Sequence, residues 1–402
     1  MIEKIFSKDP VNGGRQKEID LVKAYSIFMM ILTHCIDELY VGYEDDPVSY
    51  IINDILAGTI GAQAFMICMG IGVVYSRSVS AKEYAKRGVG LLMTGQLLNI
   101  FRYAIPGLLD YFLTGDSVSR GMVFLVFSSD IMQFAGLFFI ALGLLRLLKL
   151  KPWQVFGVSL AINLIGTFLN LKIHTGHYPL DQLFGLFIMT ESESYFPFFN
   201  WFIYPAFGML FGDILKHVKD KTGFYGALIV PCTVVWIAYY YIGLSCDQDF
   251  FKIFDNWYMM CGVPFQDAFI QLICNTALIA FIYFISNILP DRFMKGVNFV
   301  SQNINRYYCV HLVIISVIMY IPLVSGFETG YAYYVLAIVV FMLTSLVVAF
   351  YNRYLIKRVG GFMNDHKYLW YSVVMILSVA ACVWSAAGVD VFPNLFNEYF
   401  IR

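Results

Sequence analysis

Apolar stretches of membrane-spanning length recur along the whole chain, separated by short polar joints. Each is close to or above the length that an α-helix needs to cross the hydrocarbon core of a bilayer. We place them at 22–42, 49–76, 87–112, 121–148, 152–171, 195–216, 224–244, 266–288, 299–323, 331–354 and 368–388. The pattern predicts an all-α, polytopic integral membrane bundle of about eleven transmembrane helices, one domain over 19–390 with short tails at 1–18 and 391–402.

The composition favours lipid as the solvent of this chain. Its 402 residues are 59% hydrophobic and only 14% charged, and the mean hydropathy is +0.68. The formal net charge of -1 gives no global basic field of the kind that attracts nucleic acid. We therefore expect the lipid bilayer as a partner and no nucleic acid.

The positions of the basic residues predict an orientation. If the chain crosses at every span, most of its 27 Lys and Arg residues fall on the side of the N-terminus. The positive-inside rule then predicts a cytoplasmic N-terminus, an outside C-terminus and a multi-pass protein of the cell membrane. The apolar run after Ile19 is too long for the apolar core of a signal peptide, and no small-residue cleavage site follows it, so we expect the first span to be retained.

The first span carries the most informative polar residues. Lys23 lies at its cytoplasmic edge, and His34 lies about 16 Å deeper, near the midplane. Asp37 and Glu38 follow on the same helical face, where a carboxylate could orient the imidazole of a general base. We assign catalytic roles to His34 and Asp37. The alternative is that His34 only bonds a neighbouring helix, as membrane bundles often require.

The ninth span offers a second histidine. It also enters from the cytoplasm, so His311 is expected at a depth similar to that of His34. Two histidines facing one cavity would suit proton transfer, which makes His311 a catalytic candidate. Arg306 is a substrate-binding candidate, because a charge inside a span is costly unless it is paired. The alternative is a polar packing seam that joins His311 to Asn303, Asn305, Arg306 and Tyr307.

Spans three and four contribute polar residues of similar depth. Asn99 and Arg102 share one face of the third span, and Asp130 and Gln133 open the fourth. We predict that these four side chains bind a hydroxyl-rich substrate. An ion pair between Arg102 and Asp130 that serves only the structure is the alternative, because a buried charge must be neutralised locally.

Basic residues at the cytoplasmic ends of the first three spans could hold the phosphates of a cytosolic donor. We predict this role for Lys23, Arg77 and Arg87. The positive-inside rule alone would also place basic residues here.

Two longer outside joints, 172–194 and 245–265, could form a lid over an outward-facing site. Their polar residues are His174, His177, Asp181, Glu191, Glu193, Cys246, Asp247, Asp249, Asp255 and Cys261. A disulfide between Cys246 and Cys261 stays open. The scattered His and Cys residues match no metal-binding spacing, and we predict no metal.

Four segments of this sequence resemble the transmembrane acyltransferase superfamily, which includes the acyltransferase-3 proteins and the catalytic domain of heparan-α-glucosaminide N-acetyltransferase. In the first, Lys23 precedes His34 by ten intervening residues, where the family has Arg and His. The second is the run Gly61–Gly72 with Ser76, Arg77 and Arg87 after it. The third combines Asp130–Gln133 with Phe196–Trp201 and Phe207–Gly212, and the fourth is Tyr307–Leu312. Two departures are Lys23 for Arg and Met69 for the usual Ser.

The resemblance implies a membrane-embedded acyltransferase. Acyl-CoA, most often acetyl-CoA, would enter from the cytoplasm, and the acyl group would pass to a carbohydrate or glycolipid acceptor outside. His34 would act as the base or as a transient acyl carrier, and Lys23 would lie near the donor phosphates. The acceptor, O- or N-acylation, the chain length and the oligomeric state all stay open, a homodimer included.

Two other classes of protein compete with this interpretation. Charged groups near the midplane also occur in proton-coupled transporters and flippases for sugars or lipid-linked sugars. We see no related halves and no matching pair of broken helices in the sequence, which argues against a carrier. A sensor or scaffold that has kept the fold without the reaction is the third reading.

Overall fold

The computed structural model describes residues 2–40, 46–52, 57–77, 79–175, 178–190, 194–245, 262–319 and 330–386. These ranges fold into helices joined by turns and contain two isolated β-bridges, which confirms the all-α class for the described chain. The predicted C-terminal tail at 391–402 and most of the joint at 245–265 lie outside these ranges.

The helices of the first half are α1 (Ile2–Ile5), α2 (Lys17–Asp37), α3 (Pro47–Tyr50), α4 (Gly58–Ile60), α5 (Ala62–Tyr75), α6 (Ala81–Asn99), α7 (Ile105–Thr114), α8 (Ser117–Met122), α9 (Ile131–Leu147) and α10 (Pro152–Leu169). A π-helical segment, Ile100–Ala104, joins α6 to α7, and a 3₁₀ segment, Val123–Phe127, follows α8.

The helices of the second half are α11 (Tyr178–Gly185), α12 (Phe198–Trp201), α13 (Ile203–Lys216), α14 (Lys221–Ser245), α15 (Phe265–Ile288), α16 (Asp291–Gln302), α17 (Ile304–Met319), α18 (Gly330–Phe350), α19 (Ile356–Asp365) and α20 (Lys367–Ala386). A second π-helical segment, Tyr351–Leu355, joins α18 to α19.

Within the described residues, seven helical stretches are long and apolar enough to cross a membrane. They are Lys17–Asp37, Pro152–Leu169, Phe198–Lys216, Lys221–Tyr239, Phe265–Ile288, Gly330–Asp365 and Lys367–Ser385. Four shorter apolar helices are Ala62–Tyr75, Val118–Phe127, Ile131–Leu147 and Ile304–Met319. A multi-pass membrane protein is therefore confirmed, whereas the count of eleven and the orientation of the termini stay predictions.

Helix α2 occupies the centre of the bundle. It packs against α5, α15, α16, α17 and α18. Of its most apolar window 61% is buried, against 17% for the window of α14. The helix that carries Lys23 and His34 is therefore an inner helix, and α14 exposes its side chains as a lipid-facing helix would.

Glycines let two helix pairs approach closely around this centre. A Cβ on Gly70 of α5 would lie 1.9 Å from the Pro205 carbonyl oxygen of α13. A Cβ on Gly208 of α13 would lie 2.0 Å from the Ile67 carbonyl oxygen of α5. Contact of this kind between small residues is how helices pack in lipid, where apolar burial alone gives little drive.

The π-helical segment after α6 has an identifiable cause. Pro106 has no backbone N–H, so it cannot make the α-helical bond to the carbonyl of Arg102. The widened turn that precedes Pro106 contains Arg102 and Tyr103, and π-turns of this kind are frequent at functional sites. The third predicted span is therefore a helix interrupted at the level of its buried arginine.

Candidate functional site

Four elements meet near the C-terminal end of α2: its last turns, the π-helical segment after α6, the N-terminus of α9, and α17. Each brings one or more polar side chains into an otherwise apolar interior. They are His34 and Glu38 from α2, Arg102 from the π-helical segment, Asp130 from the start of α9, and His311 from α17. We call these five residues the polar centre.

His34 is bound through one ring nitrogen, and its other ring nitrogen has no hydrogen-bond partner among the described residues. Its Nδ1 lies 3.0 Å from Oε1 of Glu38, one helical turn later, and its side chain is 26% exposed. Because a carboxylate only accepts hydrogen bonds, neutral His34 carries its proton on Nδ1. Nε2 therefore presents a lone pair, which is what a general base needs.

The carboxylate on this histidine is Glu38. The helical spacing predicts Asp37 and Glu38 on the same face as His34, and the predicted catalytic carboxylate is that of Asp37. In the structure Asp37 is exposed, whereas Glu38 is largely buried and contacts the ring. A role for Asp37 stays a prediction.

Arg102 joins Glu38 to a second carboxylate. Its Nη2 lies 2.5 Å from Oε1 of Glu38, and its Nη1 lies 3.0 Å from Oδ2 of Asp130. The ion pair with Asp130 agrees with the structural alternative, and the bond to Glu38 extends it toward His34. One cation between two carboxylates leaves a net charge of about -1 on the three groups. Arg102 is therefore shared by two carboxylates, one of which also contacts His34.

His311 lies beside His34, as the depth argument expected. The ring centroids are 5.6 Å apart, and Tyr308 meets the His311 ring edge-on at 5.7 Å. Nδ1 of His311 lies 2.7 Å from the Tyr307 carbonyl oxygen, which only accepts, so Nδ1 carries the proton. His311 is fully buried, and its Nε2 has no hydrogen-bond partner within the described part of the chain.

The two amide candidates bond mainly to nearby backbone. Nδ2 of Asn99 donates to the carbonyls of Val126 and Ser128, at 3.2 and 3.0 Å. Oε1 of Gln133 accepts from the backbone N–H of Asp130 at 3.2 Å and so caps α9. These bonds hold the segment that carries Asp130, and a substrate role for either amide stays a prediction.

Arg306 contacts a different set of groups. Its Nη1 donates to Oδ1 of Asn303 at 2.5 Å, and its guanidinium lies 5.3 Å from the ring centroid of Tyr351. Nδ2 of Asn352 donates to the same Asn303 oxygen at 2.9 Å. These contacts agree with the packing seam that was the alternative for this span.

At the other end of α2, Lys23 is half-buried and has no ion pair or hydrogen bond within the described ranges. Its acidic neighbours on the helix are engaged elsewhere. Asp20 bonds Arg15 and, at 2.5 Å, the hydroxyl of Ser301. Glu18 pairs with Lys221 at 2.7 Å. Lys23 therefore holds a charge that the surrounding protein leaves available for an anion.

The other two candidates for donor phosphates lie on the surface. Arg77 and Arg87 are both exposed, and the guanidinium of Arg87 stacks 4.1 Å from the ring centroid of Phe139. The structure thus separates the three basic candidates into one half-buried cation, one that covers an aromatic ring, and one at the surface.

Of the predicted lid, the described residues include one His–Asp pair. Nδ1 of His174 lies 3.3 Å from Oδ2 of Asp181. Outside the described residues lie His177, Glu191, Glu193, Cys246, Asp247, Asp249, Asp255 and Cys261. Within the ranges given above, no group of three or more His, Cys, Asp or Glu residues could hold a metal ion.

Comparison with known families gives one match. The family model described as heparan-alpha-glucosaminide N-acetyltransferase, catalytic, matches residues 15–228, which is more than half of the chain. The matched region contains Lys23 and four of the five residues of the polar centre, with His311 beyond it. No curated protein and no solved structure matches this chain.

Proposed function

The chain belongs to the heparan-alpha-glucosaminide N-acetyltransferase catalytic family, and from that premise we propose that it transfers an acyl group from acyl-CoA to a carbohydrate acceptor. Acetyl-CoA is the donor that we expect. A transferase of this family with several membrane-spanning helices would work within the bilayer. The basic residues on the N-terminal side support donor entry from the cytoplasm and an acceptor, free or lipid-linked, outside.

The observation that carries this proposal is the geometry of His34. Nδ1 is held by Glu38, Nε2 has no hydrogen-bond partner among the described residues, and Glu38 is itself bound by Arg102. These are the requirements for a base that accepts a proton during acyl transfer and returns it afterwards. They hold for an acceptor hydroxyl and for an acceptor amine.

The reaction can be written with His34 as the only proton carrier. Nε2 takes the proton of the acceptor O–H or N–H while the acceptor atom attacks the thioester carbonyl. The bond from carbon to oxygen or nitrogen forms, the carbon–sulfur bond breaks, and the CoA thiolate takes the proton from His34. The products are an acylated carbohydrate and CoA thiol, and His34 returns to its neutral form.

His311 fits a supporting role in the same step. Its Nδ1–H is used by the Tyr307 carbonyl, so the free Nε2 can accept a hydrogen bond and cannot donate one. It would accept a hydrogen bond from the second N–H of an acceptor amine, or from a neighbouring hydroxyl of the carbohydrate, and so turn the attacking lone pair of the acceptor toward the thioester. Preorganised orientation of this kind can contribute a large share of the rate.

Lys23 is the residue that we assign to the donor. It lies about 16 Å from His34 along α2, so a donor whose phosphates contact Lys23 would need an extended arm to bring its thioester to the polar centre. Acyl-CoA has such an arm between its phosphates and its sulfur. The unpaired state of Lys23 supports this assignment better than the exposed Arg77 and Arg87 support theirs.

The test is transfer from radiolabelled acetyl-CoA by the purified protein in nanodiscs, with mixed glycans as acceptors. We expect the His34→Ala variant to lose about 10²–10⁴-fold in rate, the usual contribution of a positioned acid–base group. His366→Ala is the matched control, because this histidine is exposed at the end of α19. Binding or uptake of a sugar by the wild type without any acyl transfer would favour the transporter instead.

A further inference from the structure

One carboxylate oxygen in the polar centre receives two hydrogen bonds. Oε1 of Glu38 lies 3.0 Å from Nδ1 of His34 and 2.5 Å from Nη2 of Arg102. The side chain of Glu38 is 17% exposed, and that of Arg102 is 10% exposed. Because one oxygen is bound by two donors, one of them cationic, the largely buried carboxylate of Glu38 has little freedom to rotate.

The far side of Arg102 is fixed as well. Its Nη1 bonds Oδ2 of Asp130, whose Oδ1 accepts from the backbone N–H of Ile131 at 2.6 Å. The backbone N–H of Asp130 is held in turn by Gln133. The chain of contacts therefore runs from the rigid start of α9, through one guanidinium, to the carboxylate that contacts His34.

We propose that Glu38 is a positioning residue for His34, held in place by Arg102 and Asp130. This inference rests on the proposed function. Glu38 keeps the His34 proton on Nδ1, so that Nε2 faces the substrates as a base. Its charge also stabilises the imidazolium while the acceptor proton resides on His34.

The Glu38→Gln variant distinguishes a positioning role for Glu38 from an ion pair that only stabilises the fold. The Glu38→Gln variant keeps the shape of the side chain and an oxygen that can accept from both donors, but it removes the charge. A structural role would then appear as lost stability, with transfer reduced only as far as folded protein is lost. A positioning role would appear as lost kcat in protein that is still folded.

The first experiment is a double-mutant cycle on labelled acetyl-CoA transfer. We expect Glu38→Gln to lower kcat by about 10²-fold, because the charge that stabilises the imidazolium of His34 is lost, with little change in KM for acetyl-CoA. In the His34→Ala background the same change should have no further effect, because Glu38 acts through His34. Independent, multiplying losses would overturn the inference. So would a loss of kcat in Asp37→Asn with none in Glu38→Gln.

A second readout needs no turnover. Diethyl pyrocarbonate reacts with the unprotonated nitrogen of a neutral imidazole. Mass spectrometry of the peptide that contains His34 measures the rate of this modification. At mildly alkaline pH we expect Glu38→Gln to slow modification of His34 several-fold, with exposed His366 as the internal control. An unchanged rate at His34 would overturn the role of Glu38. Failure of the wild type to transfer acetyl groups would overturn the proposed function and leave this test intact.

Discussion

The two ends of α2 differ in how their charged side chains are paired. At the N-terminal end, Glu18 and Asp20 are engaged by residues of other segments, and Lys23 keeps a half-buried charge without a partner in the described ranges. At the C-terminal end, Glu38 is paired with a buried arginine, and His34 keeps one free nitrogen. The N-terminal end therefore presents the cation of Lys23, and the C-terminal end presents the Nε2 lone pair of His34 beside carboxylates that are paired with Arg102.

The difference matches two kinds of chemistry along a single helix. A binding site for phosphate gains affinity from a cation that no protein carboxylate neutralises. A proton-transfer site needs charges that are fixed in advance and already balanced for the protonated state. Because α2 is an inner helix, it can present both to one extended donor. The variants below test whether the two ends differ in this way.

The largest effect, a loss of thermal stability, is expected at the C-terminal end of α2, where Arg102 pairs with Glu38 and Asp130. In Arg102→Met, Glu38 and Asp130 become two buried carboxylates without their cation, and breaking such a pair costs about 3–5 kcal/mol. We expect a clear drop in the thermal midpoint in nanodiscs, measured by loss of monodisperse protein on size exclusion. In the double variant Glu38→Gln with Arg102→Met, part of the loss should be recovered.

Arg306→Met is the matched control for this prediction. It removes the same charge from a half-buried arginine that contacts an amide and an aromatic ring and has no carboxylate partner within the described chain. Its thermal midpoint should fall far less than that of Arg102→Met. Equal drops would mean that the polar centre is no more dependent on its cation than the packing seam is.

A smaller effect is expected at the other end, and on binding alone. In Lys23→Met the apolar stem is kept, so the thermal midpoint should not fall. A hydrogen bond to a charged group contributes about 1.5–3 kcal/mol, so KM for acetyl-CoA should rise by about ten- to a hundredfold. Lys23→Arg should stay close to wild type. A Lys23→Met variant with unchanged KM but a lower midpoint would make Lys23 a structural residue.

Much of this arrangement follows from the sequence, because hydropathy and helical rise are local properties. They predict membrane helices and a similar depth for His34 and His311, and the cost of a buried charge offers the pairing of Arg102 with Asp130 as the alternative to substrate binding. The choice between Asp37 and Glu38 could not be made in this way. Asp37 and Glu38, three and four positions after His34, both lie on the same helical face. The bond from Arg102, 64 residues after Glu38 in the sequence, distinguishes them in the folded protein.

The sequence could not predict, for a related reason, that Lys23 has no ion pair among the described residues. Asp20 and Glu18 lie near it on the same helix, so a local reading leaves all three charges able to pair with one another. Ser301 and Lys221, far along the chain, occupy the two acidic residues in the folded protein. Such long-range competition for partners is decided by tertiary packing, which no single-sequence periodicity encodes.

The smallest effects are expected at Arg77 and Arg87, and they decide how local the donor site is. Arg77 is exposed, so Arg77→Ala should change KM for acetyl-CoA by less than about twofold, in line with the small energies of exposed charges. Arg87→Ala should lose the stacking on Phe139, about 0.5–1 kcal/mol of stability, with a similarly small change in KM. Kinetics of both variants beside Lys23→Met measure the contrast directly. If either exposed arginine matched Lys23 in its effect on KM, the donor phosphates would be held by the whole basic surface, and the unpaired charge on α2 would lose its special role.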